Sequence, residues 1–178
     1  MSKTYSEGRL TFQFPDDWSV CRPGMTSYYS ARFQCFCGGC KETDYAMFDP
    51  QSGRLWLLEV KDYAAYPRSK SVPLPNELAQ KVRDALALLT ASANCDQTTS
   101  KRDNMRMGDF ARTARAATSL GVVLHCEPQP RSSSLFPAVS EMANVLQAIR
   151  VALNPLGPTT TVKLARKGAY AGLPWAVT

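Results

Sequence analysis

The chain has no apolar run long enough to cross a bilayer: its most apolar stretches, residues 55–60 and 121–124, fall far short of the roughly 20 residues a membrane helix needs. No transmembrane helix is expected. It carries a single histidine, His125, which excludes histidine-rich metal sites and obliges any Ser-His or Cys-His hydrolase to use that one residue. No nucleophile motif accompanies it, and it ends an apolar strand beside Cys126, so a structural histidine is the expectation. The first fourteen residues lack the basic start, apolar core and small-residue cleavage site of a secretory leader. A cytoplasmic location is expected. Also missing are a second Cys-x-x-Cys knuckle, a helix-turn-helix pattern and any finger or other base-reading motif.

What is present is ordinary globular usage. Hydrophobic residues make up 44% and charged residues 20% of 178, which argues for one folded domain over residues 1–178 and against disorder or a fibrous chain. Lys and Arg outnumber Asp and Glu by 21 to 15, a net charge of +6 that suits contact with a polyanion and equally suits a solvated basic surface.

Periodicity divides the chain. Residues 9–14 alternate apolar and polar and stop at Pro15, a strand; residues 26–33 suit a short helix. Residues 43–48 and 54–61 read as two strands of a hairpin, joined by a turn over 49–53 that contains Pro50 and Gly53. The second of these is apolar on both faces through residues 55–58, as a central strand should be. A Pro-punctuated loop over 66–75 precedes a helix over 76–92 with Leu78, Val82, Ala85, Leu86 and Leu89 on one face and Glu77 and Lys81 as an i,i+4 pair. After a polar loop over 94–103, a helix is expected over 107–119 and a strand over 122–125, with Gly121 breaking one from the other. A Pro/Ser-rich loop over 127–134 leads to a helix that has Pro137 just inside it and apolar positions Val139, Met142, Val145, Leu146 and Ile149. Residues 159–164 form a last strand. The alternation of strands and helices makes an α/β fold.

The informative constellation is Asp44, fourteen intervening residues, then Glu59-Val60-Lys61. Strand side chains alternate, so Glu59 and Lys61 project to one face while Val60 points to the other, and a paired hairpin strand can set Asp44 beside them. Two carboxylates suit Mg²⁺ (or Mn²⁺), hard cations that take oxygen ligands and keep several waters. Such a metal polarises a phosphoryl group and activates water. A lysine there can neutralise developing negative charge. Asp49 competes for the first acid, but Asp49-Pro50 is better read as opening the turn.

These residues resemble the PD-(D/E)xK nuclease superfamily, in which an acid on one strand precedes Glu-x-Lys on its neighbour. Leu10-Thr-Phe-Gln-Phe-Pro, Asp44-Tyr-Ala-Met-Phe-Asp, Leu55-Trp-Leu-Leu-Glu-Val-Lys-Asp and Gln80-Lys-Val-Arg-Asp-Ala-Leu together are similar to small bacterial members over the first half of the chain. The resemblance implies a restriction-endonuclease-like mixed β-sheet flanked by α-helices and metal-dependent cleavage of nucleic acid, DNA first. Asp44 and Glu59 would be the metal ligands, Lys61 the catalytic cation, and Gln80 or Lys81 a further site residue from the following helix. A homodimer would suit cutting of both strands. The segment from Cys21 to Tyr29 lacks the acid that the first helix of the family supplies, and Glu7 is the only acid before Asp16. That departure leaves open an inactive module of the same fold that binds nucleic acid or protein.

Two other groups remain. Cys35-Phe-Cys-Gly-Gly-Cys40, with Cys21, His125 or Cys126, has enough ligands for a structural Zn²⁺, while a redox pair and plain reduced thiols are the alternatives. Lys101, Arg102, Arg106, Arg112 and Arg115 can track phosphates or form a solvated helix face. Trp56 and Trp175 are expected in the core.

Overall fold

A computed structural model describes residues 3–95, 106–128, 142–169 and 172–178. The elements are mixed α/β, as expected: among the described residues there are eight strands, three α-helices and several short turns of helix. One sheet has the order β1-β2-β8, built from Lys3–Glu7, Leu10–Phe14 and Ala176–Val177. The other has the order β3-β4-β5-β6-β7, from Ser19–Cys21, Tyr45–Asp49, Arg54–Asp62, Ser119–Glu127 and Thr161–Ala165. The helices are α1, Leu74–Cys95; α2, Met107–Ala114; and α3, Met142–Leu153. Among the described residues no helix is long and apolar enough to cross a membrane. The chain forms two compact units, one of Met1–Asp16, Glu59–Ala79 and Val122–Thr178, the other of Asp17–Leu58 and Gln80–Gly121.

In the second unit the expected hairpin is present. β4 and β5 are antiparallel with Tyr45 opposite Leu58 and Asp49 opposite Arg54. Asp49 makes the turn: its carboxylate accepts the Gln51 and Ser52 amides at 3.0 and 3.3 Å and the Ser52 hydroxyl at 2.5 Å, an Asx arrangement. Gly53 follows at φ +61°, a conformation a side chain would strain. Leu55, Trp56, Leu57 and Leu58 are all buried, which is why the run shows no alternation.

α2 is shorter than the pattern suggests. It ends at Ala114, and the chain enters β6 at Ser119 because the Thr118 amide reaches Gly53 O at 2.8 Å and Arg54 Nε reaches Ser119 Oγ at 3.2 Å. Gly121 therefore lies inside a strand instead of breaking helix from strand. Its reason is contact: a Cβ there would sit 2.2 Å from Cε3 of the buried Trp56 ring. α1 begins earlier than expected, with Pro75 in its first turn, where a missing N–H leaves no bond unmade. Residues 26–33 hold a turn of π-helix, Tyr29–Phe33.

In the first unit Phe12 and Phe14 have no exposed surface, and Phe14 meets Trp175 at 5.8 Å between ring centroids. Reciprocal bonds of 2.9 Å between Thr11 and Thr178 hold β8 to β2. The Tyr63 amide reaches Glu127 O at 2.9 Å at the ends of β5 and β6; with the Thr118–Gly53 bond at their starts, the two strands run parallel. Val145, Ile149 and Leu153 form the buried stripe of α3. The sequence pattern missed β1, whose residues are half-buried or exposed, and β3 and β8, which are three and two residues long. Pro137, Val139 and most of the loop over 127–134 lie outside the described residues, as do Lys101 and Arg102.

Candidate functional site

The C-terminal end of β5 leaves an apolar environment and becomes polar at Glu59. Val60 between them puts Glu59 and Lys61 on one face, and the Lys61 ammonium stands 2.6 Å from Glu59 Oε1. Glu59 is 1% exposed, whereas the Lys61 side chain keeps 19%.

A second carboxylate joins Lys61. Glu77, in the first turn of α1, is also 1% exposed, and its Oε1 lies 3.7 Å from Lys61 Nζ and 2.6 Å from Lys70 Nζ. Its Oε2 accepts from Arg68 Nη1 at 3.0 Å. Arg68 is itself buried: Nη1 also donates to the Tyr63 hydroxyl at 2.6 Å, Nη2 donates to Val72 O, and the guanidinium lies over the Tyr63 ring. The Pro-punctuated loop is thus folded onto α1 by buried charges, each with a partner, and removing either partner would strand a charge away from water. Burial pushes the Glu77 carboxyl up, but the Lys70 hydrogen bond, the Lys61 charge and the Arg68 hydrogen bond outweigh it and hold the group at about 2. Beside them the Arg9 guanidinium grips Asp62 through two 2.9 Å bonds and lowers its carboxyl pKa.

Asp44 is half-buried and directly precedes Tyr45, whose register partner, Leu58, directly precedes Glu59. Gln80, one helical turn beyond Glu77, accepts from Lys41 Nζ at 3.2 Å. Asp49 belongs to its turn. Among the described residues no group of three His, Cys, Asp or Glu side chains converges to hold a metal. The donors at the strand end are nonetheless carboxylate oxygens, which suit Mg²⁺ or Mn²⁺ in kind. A cation that fills most of its coordination with water and substrate needs few protein ligands.

The residues that sequence reasoning missed are Glu77 and Arg68. Glu77 reads as a surface acid four residues before a lysine, and Arg68 as one of several polar residues in a loop. Their only sequence trace is an unusual density of cations, Arg68 and Lys70, between two predicted elements.

The remaining candidates divide clearly. His125 has no exposed surface; its Nε2 lies 2.8 Å from Glu127 Oε1, Phe12 meets it edge-on at 5.3 Å, and Nδ1 has no partner among the described residues. Burial lowers its pKa despite Glu127, so the ring is a neutral, structural one with its proton on Nε2. Trp56 and Trp175 are in the core. Cys35, Cys37 and Cys40 are free thiols, the first two exposed and the third half-buried. Arg106 and Arg112 flank Asp109 at 2.7 and 2.5 Å, and Arg115 bonds Asn94 Oδ1, so these three arginines have protein partners of their own.

No family model and no solved structure matches the chain. A curated cysteine–tRNA ligase of Neisseria meningitidis is similar, 30% identical over 173 residues, covering 81% of this chain and 24% of that protein. The chain thus spans about a quarter of the length of the relative it matches.

Proposed function

We propose that the chain is a metal-dependent phosphodiester hydrolase of PD-(D/E)xK type that cuts DNA, with Asp44 and Glu59 as metal ligands and Lys61 as the catalytic cation. The observation that carries the reading is the end of β5: an acid and a lysine on one face just beyond the apolar run 55–58, with Asp44 one residue before the Tyr45–Leu58 register pair.

When bound, the cation would polarise the phosphoryl group and supply an activated water. The protein's part is positional. Lys61, with its partly exposed side chain, can turn its ammonium from Glu59 to a phosphoryl oxygen and balance the charge that builds there in the transition state. Glu77 shares Lys61 and keeps that ammonium at the strand end between turnovers. Gln80, three residues after Glu77 in α1, would be a further site residue.

A second reading, an inactive module of the same fold that binds nucleic acid, is favoured by one observation: Glu59 is deeply buried and already balanced by Lys61. The similarity to part of a cysteine–tRNA ligase adds RNA to the substrates to be tried. The test is cleavage of labelled single-stranded DNA, duplex DNA and tRNA by wild type and Glu59→Gln, each with Mg²⁺, Mn²⁺ or EDTA. Metal-dependent cutting that disappears in the variant is the expected result. Salt-sensitive binding without cutting in any metal would replace the hydrolase by the binding module.

A further inference from the structure

Residues 35–40 form a thiol turn with no part in the hydrolysis proposed above. Cys35 and Cys37 are exposed, Cys40 is half-buried, and all three are free. Cys37 is the one non-glycine residue with positive φ among those described, at φ 50° and ψ 42°, and Gly38 and Gly39 follow at φ 81° and 109°. A side chain in the left-handed region is disfavoured, and where one persists the surroundings hold it there.

The three left-handed residues curl the chain back on itself. The Gly39 amide reaches Phe36 O at 3.0 Å, and the Cys40 sulfur lies 3.5 Å from the same oxygen. That carbonyl belongs to the peptide joining Phe36 to Cys37, so the Cys40 sulfur is folded onto the peptide that carries Cys37. Cys40 is anchored from behind, its carbonyl accepting the Tyr29 hydroxyl at 2.9 Å, and the next residue, Lys41, donates its amide to Asp84 at 3.0 Å. One thiol is therefore presented to solvent and the other is held over its neighbour's backbone.

We propose that Cys37 and Cys40 are an oxidative modification site, a dithiol that a hydroperoxide converts to an intramolecular disulfide. The exposed Cys37, as thiolate, attacks the peroxide; the O–O bond breaks, Cys37 becomes a sulfenic acid, and the leaving oxygen takes a proton to give water or an alcohol. The Cys40 sulfur then attacks the sulfenic sulfur; the S–S bond forms, the S–O bond breaks, and hydroxide leaves with the Cys40 proton as water. Two thiols are oxidised by two electrons and one peroxide is reduced. Burial first, then the charges of Asp84 and Cys37, raise the Cys40 pKa against the opposing Arg83, which suits a protonated second thiol. The bridge would use the pre-curled turn and would stiffen the segment that leads into Asp44.

The test is peroxide treatment of the full chain with thiol counting and peptide mass mapping, on wild type and on Cys35→Ser, Cys37→Ser and Cys40→Ser. Wild type and Cys35→Ser should lose two thiols and show a Cys37–Cys40 cross-link lighter by about 2 Da. Cys40→Ser should stop at a Cys37 sulfenic acid trapped by a 1,3-diketone, and Cys37→Ser should form no bridge. A bridge to Cys35 or Cys95, a peroxide-resistant Cys37, or stoichiometric zinc that protects all three thiols would overturn the proposal. None of these readouts depends on nuclease activity.

Discussion

Replacing Glu77 by Gln removes one negative charge from between three cations while keeping the side chain's size. Its carboxylate meets Lys70 at 2.6 Å, Arg68 at 3.0 Å and Lys61 at 3.7 Å, all in a site 1% exposed. Those partners hold its pKa at about 2 instead of 4.5. At about 1.4 kcal/mol for each tenfold step in ionisation, the ionised group favours the folded chain by about 3 kcal/mol. The folded-state pKa is the lower one, so as pH falls the unfolded chain takes up the proton first. The stabilisation is whole above 4.5 and is lost as pH falls from there through about 2. Urea unfolding midpoints of wild type and Glu77→Gln, compared at intervals from about pH 7 to about pH 2.5, measure this directly. The variant should be weaker by about 3 kcal/mol near neutrality, and the gap should close on the acid side. Two parallel curves would refute the reasoning, since they would mean that the carboxylate is not held ionised by its neighbours.

Three other outcomes follow from the same structure. Gly121→Ala places a Cβ 2.2 Å from the buried Trp56 ring and should cost about 3 kcal/mol, with Trp56→Leu in the same chain recovering part of the loss; thermal unfolding of both reads this, and a Gly121→Ala melt unchanged from wild type would remove the contact argument. His125 is held neutral by burial, its pKa below 6.5, so the unfolded chain protonates first and wild type should lose stability as pH falls below 6.5. Wild-type and His125→Gln unfolding curves should therefore change their separation as pH falls from 6.5, and curves that keep a constant separation there would contradict the buried neutral ring. Asp49→Ala removes three acceptor contacts from the β4–β5 turn and should cost about 1 kcal/mol by chemical denaturation, whereas Asp44→Ala, outside that turn, should abolish metal-dependent cleavage instead; equal activity in wild type and Asp44→Ala would reassign the first acid.

Local chemistry was enough for several elements. The alternation of residues 9–14, the Pro and Gly of the 49–53 turn and the helical stripe from Leu78 to Leu89 are short-range patterns, and the strands, turn and helix they imply are present. The apolar run Leu55–Leu58 announced a central strand, because a strand covered on both faces cannot alternate. That Lys61 and Glu59 share a face was legible too, since residues two apart on a strand project the same way; their ion pair is what the structure adds.

What the sequence could not carry is whatever depends on residues brought from far along the chain. Gly121 looks like a helix stop until Trp56, sixty-five positions earlier, is seen to occupy the space a side chain would need. β1 has little apolar signal and β8 is only two residues long, and both exist as strands through the hydrogen bonds that β2 offers on its two sides. Glu77 and Arg68 read as surface charge because a charge's meaning is set by its distance from water and from other charges, and only folding fixed both. Composition and period therefore determined the element types and the face that bears Glu59 and Lys61. Tertiary structure alone decided that Glu77 and Arg68 are buried, ion-paired partners of that face, because burial and Coulomb energy act through space and leave no period in the chain.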